Sequence, residues 1–192
     1  KSQYEEPYFA VLMKIQQQSG DAPNLDCGSL NASINRTRFL DLSDSNLQDI
    51  RPLAYLGDVK SLTLDNNAIE DFSPLAHLST LESLSIVGNN LRALPSLAGM
   101  SKLSTLDVMD NPLTALAADA PALKKLYLGY QFIPPQGRIA FNLTLVPEVT
   151  AVDGLYLGNL DLTPESLQTL HLVQTLRTLY FADDQAVNSA DW

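Results

Sequence analysis

The chain has 192 residues, 45% of them hydrophobic, which suffices to bury a continuous core in one domain of ordinary size. A formal charge of -10 and a pI near 4.4 argue against a nucleic-acid partner, because phosphate binding needs clustered Lys and Arg. The same acidity opposes docking on an anionic membrane, and no apolar run reaches the roughly 18 residues that would span a bilayer, so no membrane insertion is expected.

In chain order, residues 1–36 read as an N-terminal helical cap. Pro7 suits the first helical position, Tyr8, Val11, Leu12 and Ile15 share one face, and Gly20 supplies a stop. A terminal helix of this kind covers the open hydrophobic end of a stack of repeats. A partner-binding amphipathic helix is the rival reading. Cys27 is the single cysteine, so no intrachain disulfide forms, and the redox compartment stays open. Beside Gly28, and without a histidine in a partner motif, it reads as a buried cap residue and not as a nucleophile.

Residues 37–192 read as a solenoid of about seven strands, irregular after residue 116. The phrase L-x-L-x-x-N-x-[LI] runs from Leu62 to Ile69, Leu84 to Leu91 and Leu106 to Leu113, in two steps of 22 residues. Its register extends back to Leu40-Asp41-Leu42 and forward to Leu126-Tyr127-Leu128, Leu155-Tyr156-Leu157 and Leu179-Tyr180-Phe181. In a short strand the flanking leucines point inward and the residue between them points to the opposite face. Asn67, Asn89 and Asn111 stand where an inward amide can satisfy backbone groups of the turn, so they form a structural ladder and not a binding site. Ser45, Gln131, Leu160 and Asp184 take that position in the other units.

The second half of the early units reads Asp49-Ile50-Arg51-Pro52-Leu53-Ala54-x-Leu56 and Asp71-Phe72-Ser73-Pro74-Leu75-Ala76-x-Leu78. Proline fixes φ and starts a short helical or 3-10 turn well. These units resemble bacterial leucine-rich repeats of the internalin type, whose 22-residue repeats carry the same Pro-Leu-Ala phrase. The resemblance is close over residues 37–116 and loose afterwards. It implies an α/β fold: a right-handed leucine-rich repeat solenoid with a parallel β-sheet on the concave face and 3-10 or short helices on the convex face. It also implies a family whose members usually bind proteins through that face, frequently secreted, periplasmic or on the cell surface, with intracellular, cytoplasmic relatives as well. A start at lysine is compatible with removal of a signal segment.

Later units depart from the pattern. The step from Leu106 to Leu126 is 20 residues, the next to Leu155 is 29 and the last to Leu179 is 24. The long unit holds Pro134-Pro135-Gln136-Gly137, a turn signal, and residues 134–150 read as an insertion that folds over the sheet as a lid or extends its wall. Thr163-Pro164-Glu165 reads as an N-cap and helix start, with Leu167, Leu170, Val173 and Leu176 on one face. The last eleven residues are rich in Asp, Ala and Asn and leave little to close the end, which motivates an alternative reading as a structural or targeting scaffold segment of a larger multidomain secreted protein.

Catalysis finds no constellation: there is no phosphate-cradling glycine loop, no G-x-S-x-G, no H-E-x-x-H and no C-x-x-C. His77 and His171 lie apart in the repeat register and read as solvated residues, so no metal or cofactor is expected. Three matches to the glycosylation sequon, at Asn31, Asn35 and Asn142, are close to the chance number. Asp41, Asp44, Asp65, Asp107 and Asp110 share one side. That group could draw a basic partner or calcium, which wants six to eight oxygens, but without EF-hand spacing a solvated acidic face is the simpler reading.

Aligned by unit, the column between the strand leucines reads Asp41, Thr63, Ser85, Asp107, Tyr127, Tyr156, Tyr180. Three consecutive tyrosines on strands about 4.8 Å apart make an exposed aromatic stack, with Tyr130 and Met109 in flanking outward columns. Tyrosine pairs an apolar ring with a polar tip and recurs at interface hot spots. The bland alternative is that the rings merely cover the sheet or pack on the insertion. The expectation is therefore a non-enzymatic protein-protein interaction module, its partner held by Tyr127, Tyr130, Tyr156, Tyr180 and Met109.

Overall fold

A computed structural model describes residues 5–18, 32, 33, 36–130, 137, 139–145, 152–171 and 176–182. Ten strands follow in chain order: β1 (Phe39–Asp41), β2 (Ser61–Thr63), β3 (Ser83–Ser85), β4 (Thr105–Asp107), β5 (Ala115–Ala118), β6 (Lys125–Gly129), β7 (Ile139–Leu145), β8 (Gly154–Gly158), β9 (Leu160–Leu162) and β10 (Thr178–Ala182). Each L-x-L phrase supplies one strand of a seven-stranded parallel sheet, ordered β1-β2-β3-β4-β6-β8-β10. Leu40, Leu62, Leu84, Leu106, Leu126, Leu155 and Leu179 stand opposite one another along it. The first six are buried, each contributing about 2 kcal/mol of apolar transfer, while the residues between the leucines stay half-buried or exposed. The result is a parallel-sheet β-solenoid with one continuous core.

At the turn after each early strand the asparagine side chain lies inside. Asn89 donates through Nδ2 to the carbonyls of Leu64 (2.9 Å), Ile86 (3.1 Å) and Val87 (3.2 Å) and accepts from Ile69 N–H at 3.2 Å. Asn67 and Asn111 repeat the pattern one unit away on either side. Immediately before the ladder position the backbone is left-handed, at Asp44 (φ 52), Asn66 (φ 55), Gly88 (φ 64) and Asp110 (φ 55). Asn, Asp and Gly are the residues that tolerate this region. In the fifth unit the left-handed residue moves one place back to Gly129 (φ 90), and in the sixth Asn159 (φ 50) donates to the Tyr130 carbonyl. Leu160, expected at the ladder position, instead opens β9.

The Pro-Leu-Ala phrases form 3-10 turns, Arg51–Tyr55 and Ser73–His77, with proline near the start of each. Asp49 and Asp71 accept from the N–H two residues on, at 3.0 and 2.9 Å, and hold the entry to each turn. Helix α1 (Glu5–Gln18) begins two residues before Pro7, which the first turn accommodates because the N–H that proline lacks would have no intrahelical acceptor there. Val11 and Ile15 are buried in the core and Leu12 is half-buried. The Gln18 side-chain amide meets the first strand's edge: its Oε1 accepts from Asp41 N–H at 2.9 Å and its Nε2 donates to the Asp41 carbonyl. Lys14 Nζ donates to the Ser43 carbonyl at 3.2 Å and to Ser45 Oγ. Gly20 and Cys27 lie outside the described residues, as does the Tyr8 side chain.

A second parallel sheet, ordered β5-β7-β9, is the main departure from the sequence reading. Leu116 stands opposite Leu143, and Phe141 opposite Leu162. Residues 139–145, expected within a lid or wall, are therefore a strand with Phe141 and Leu143 in the core. The physical cause is legible afterwards: Ile139, Phe141, Leu143 and Leu145 alternate with period two, the pattern of a strand with one buried face. Gly137 has φ 88, and the preceding Pro134, Pro135 and Gln136 lie outside the described residues. Helix α2 (Pro164–His171) starts as expected, with Thr163 Oγ1 accepting from Ser166 N–H at 3.3 Å. Ser166 is buried and its Oγ accepts from Leu143 N–H at 2.7 Å and donates to the Phe141 carbonyl at 3.2 Å, so the helix start continues the satisfaction of β7 begun by β9. Val173 and the side chains of Leu167 and Leu170 lie outside the described residues.

Candidate functional site

The outward column follows the backbone register. Asp41 stands opposite Thr63, then Ser85, Asp107, Tyr127, Tyr156 and Tyr180 in turn. Parallel in-register pairing sets like positions about 4.8 Å apart, so aromatic residues in one column must meet. Tyr127 and Tyr156 stack with ring centroids 4.2 Å apart and planes 8° from parallel. Tyr156 and Tyr180 are 6.1 Å apart and tilted by 45°. Tyr127 and Tyr156 are half-buried, whereas Tyr180 keeps 56% of its surface in solvent and is the accessible end of the row.

Met109 and Tyr130 come together beside this row across Gly158. A Cβ at Gly158 would stand 2.3 Å from the Tyr130 carbonyl oxygen and 2.9 Å from Met109 Cε, so the missing side chain is what lets both approach. Tyr130 is half-buried and packs against the core, which makes it less a free anchor than the sequence suggested. Burial first, and the charge of Asp110 second, push its phenol above the ordinary tyrosine range. For Tyr127 the same desolvation dominates, followed by Tyr156 and then by Asp107.

Acidic residues occupy the approach to the row. Asp65 accepts from Ser85 Oγ at 2.6 Å and Val87 N–H at 2.9 Å, so it leans toward the third strand. Asp107 is half-buried and accepts from Met109 N–H at 3.1 Å. Burial raises its carboxyl to about 6 against that hydrogen bond, with further repulsion from Asp65 and Asp110. Asp41 goes the other way, because hydrogen bonds from Ser43 Oγ and N–H hold it below the ordinary aspartate range. The expected acidic side is thus two different places, an exposed Asp41 at the first strand and a desolvated Asp107 against the first tyrosine. Among the described residues no group of three or more His, Cys, Asp or Glu is arranged to hold a metal ion, and His77 is exposed on its 3-10 turn. No helix among them is long and apolar enough to cross a membrane.

No protein-family model matches the chain, and no curated protein matches it. Solved structures do. An internalin C2 from Listeria monocytogenes aligns over 91% of this chain and 86% of its own, with 16% identity and a TM-score of 0.58. The fold is that of an internalin-like leucine-rich repeat protein. A second internalin from Listeria monocytogenes aligns over 82% of this chain and 53% of its own, with 24% identity and a TM-score of 0.49. In the internalin-like solenoid described here, the leucine and asparagine positions are consumed by core and turns. The outward letters are left for function.

Proposed function

We propose that this chain is a non-enzymatic protein-protein interaction module that holds a protein partner on the outward face of its seven-stranded sheet, toward the C-terminal half. The observation that carries the reading is the row Tyr127, Tyr156 and Tyr180, which presents aromatic surface to solvent on a regular backbone. Rings of this kind lose little entropy on binding and supply most of the energy of many interfaces. We read the face as the concave side of a right-handed solenoid, with the 3-10 turns on the convex side and residues 1–36 as its helical cap. The Gln18 amide on the edge of β1 supports the capping role, since an uncovered edge invites pairing with other chains. Secretion or display at the cell surface fits internalin-like neighbours.

The test replaces the three tyrosines with alanine and repeats a pull-down from the native environment. Loss of the partner captured by the parent chain, with an unchanged circular dichroism spectrum, is the expected result. Unchanged recovery on an intact fold would refute the assignment.

A further inference from the structure

In-register pairing sets Tyr127 and Tyr156 directly opposite each other on β6 and β8, in the outward column of the sheet. Their ring centroids are 4.2 Å apart, closer than the strand spacing of about 4.8 Å, so the two rings lean together into contact. With planes 8° from parallel, the π orbitals of one ring point at the face of the other. The next pair in the row is placed differently: Tyr156 and Tyr180 are 6.1 Å apart and tilted by 45°. Tyr180, 56% exposed, is the solvent end of the same row. Tyr55 is more exposed still, at 76%, but it sits on its 3-10 turn with no other ring stacked on it among the described residues.

We propose that Tyr127 and Tyr156 are a site of oxidative coupling, joined ring to ring by a carbon–carbon bond when a peroxidase-type one-electron oxidant acts with hydrogen peroxide. The inference stands apart from the partner-binding reading. Loss of one electron and the phenolic proton turns each ring into a phenoxyl radical, whose unpaired spin is shared onto the Cε carbons beside the oxygen-bearing carbon. That spin occupies p orbitals perpendicular to the ring, so two parallel rings in contact meet along the bond-forming direction. One Cε–Cε bond forms, the hydrogen on each joined carbon leaves as a proton, and each phenol oxygen takes a proton back. In balance, two tyrosines and one hydrogen peroxide give one coupled pair and two waters, the peroxide accepting the two electrons and two protons. Holding the rings together supplies the encounter that separate tyrosines must find by collision. The bond would tie β6 to β8 across the 29-residue step that carries the insertion, in a chain whose single cysteine forms no intrachain disulfide.

The intact chain, kept dilute, is treated with a haem peroxidase and hydrogen peroxide, and the products are read by dityrosine fluorescence, gel mobility and peptide mass mapping. The main coupled product should be a monomer two hydrogens lighter, with the peptides of Tyr127 and Tyr156 joined. Tyr127→Phe or Tyr156→Phe, which keep the ring, should each lower the intrachain yield about tenfold, whereas Tyr180→Phe and Tyr55→Phe should leave the Tyr127–Tyr156 product in place. As a share of all dityrosine formed, this pair should lose its preference when the chain is first unfolded in urea. The coupled chain should also unfold at a higher urea concentration than the uncoupled one, because the bond restricts the unfolded loop as a disulfide does. Coupling that maps mainly to Tyr55 or to Tyr156–Tyr180, chain-to-chain dimers as the main product, no coupled product, or an equal preference in the unfolded chain would overturn the proposal.

Discussion

Replacing Asn89 by alanine tests the internal amide ladder. Its side chain is 5% exposed and makes four recorded hydrogen bonds to the backbone. Their loss is not uniform. The Leu64 carbonyl keeps the Asn67 amide as donor at 2.8 Å and the Ile86 carbonyl keeps that of Asn111 at 2.9 Å, because adjacent rungs share carbonyls. Ile69 N–H, by contrast, loses its recorded acceptor in a buried turn, which costs about 1–3 kcal/mol. Adding the lost side-chain packing, Asn89→Ala should destabilise the protein by about 3 kcal/mol, a large part of a total that for ordinary domains is about 5–15 kcal/mol. Sharing also predicts coupling. With Asn89 and Asn111 both replaced, the Ile86 carbonyl loses both amide donors at once, so the double variant should cost about 1 kcal/mol more than the sum of the single ones. Equilibrium urea unfolding followed by circular dichroism measures all three. A single-variant cost below about 1 kcal/mol, or strict additivity, would refute the shared-rung account.

Gly129→Ala should cost about 3 kcal/mol in the same assay, since φ is 90 and a Cβ would stand 1.9 Å from the Gly158 carbonyl oxygen. Gly137→Ala, with φ 88 but no atom of the described residues within 4 Å, should cost about 1 kcal/mol, and equal losses would show that crowding is not the cause. The carboxyl of Asp107 is raised from 3.8 to about 6, so folding favours its protonated form. Its stabilising contribution is therefore complete below pH 4 and is lost as pH rises through 6. Discounted for partial exposure, Asp107→Asn should be more stable than the parent by about 1–2 kcal/mol at pH 7.5 and indistinguishable at pH 4. Paired unfolding curves at the two pH values check it, and a gain at both would mean that ionisation is not responsible. Gln18→Ala should speed hydrogen exchange at the Asp41 amide about fivefold while leaving Leu84 unchanged, as expected if the Gln18 side chain pairs with the first strand. Slower or equal exchange at Asp41 would contradict that pairing.

Much of the first sheet could be read from spacing, because a leucine pair around one outward residue fixes both burial and register. Leu40, Leu62, Leu84, Leu106, Leu126 and Leu155 then had one arrangement open to them, and the tyrosine column followed from theirs. Local chemistry was equally direct where one side chain meets its own backbone, as with Thr163 at the start of α2. The second sheet is not legible in the letters because β5 and β9 are short and polar-flanked, and because the alternation that begins at Ile139 directly follows the turn signal Pro134-Pro135-Gln136-Gly137. Burial of Asp107 and Tyr130 was also out of reach, since both depend on what neighbouring units leave uncovered. The left-handed series Asp44, Asn66, Gly88 and Asp110 was present in the letters as Asp, Asn or Gly before each ladder position.

The second sheet changes how successive units can lean. The two early units with a Pro-Leu-Ala phrase pair a strand of the first sheet with a 3-10 turn in place of a second strand. From β4 to β9 each unit contributes a strand to both sheets, so both sides advance by the same strand spacing of about 4.8 Å and the units become parallel slabs. Tyr127 and Tyr156 ride on two such slabs and their rings lie 8° apart. Among the described residues the second sheet ends at β9, α2 packs against β7, and the Tyr156–Tyr180 angle opens to 45°. The tyrosine row is therefore level across Tyr127 and Tyr156 and flares at Tyr180, the end at which the paired strands of the second sheet stop among the described residues.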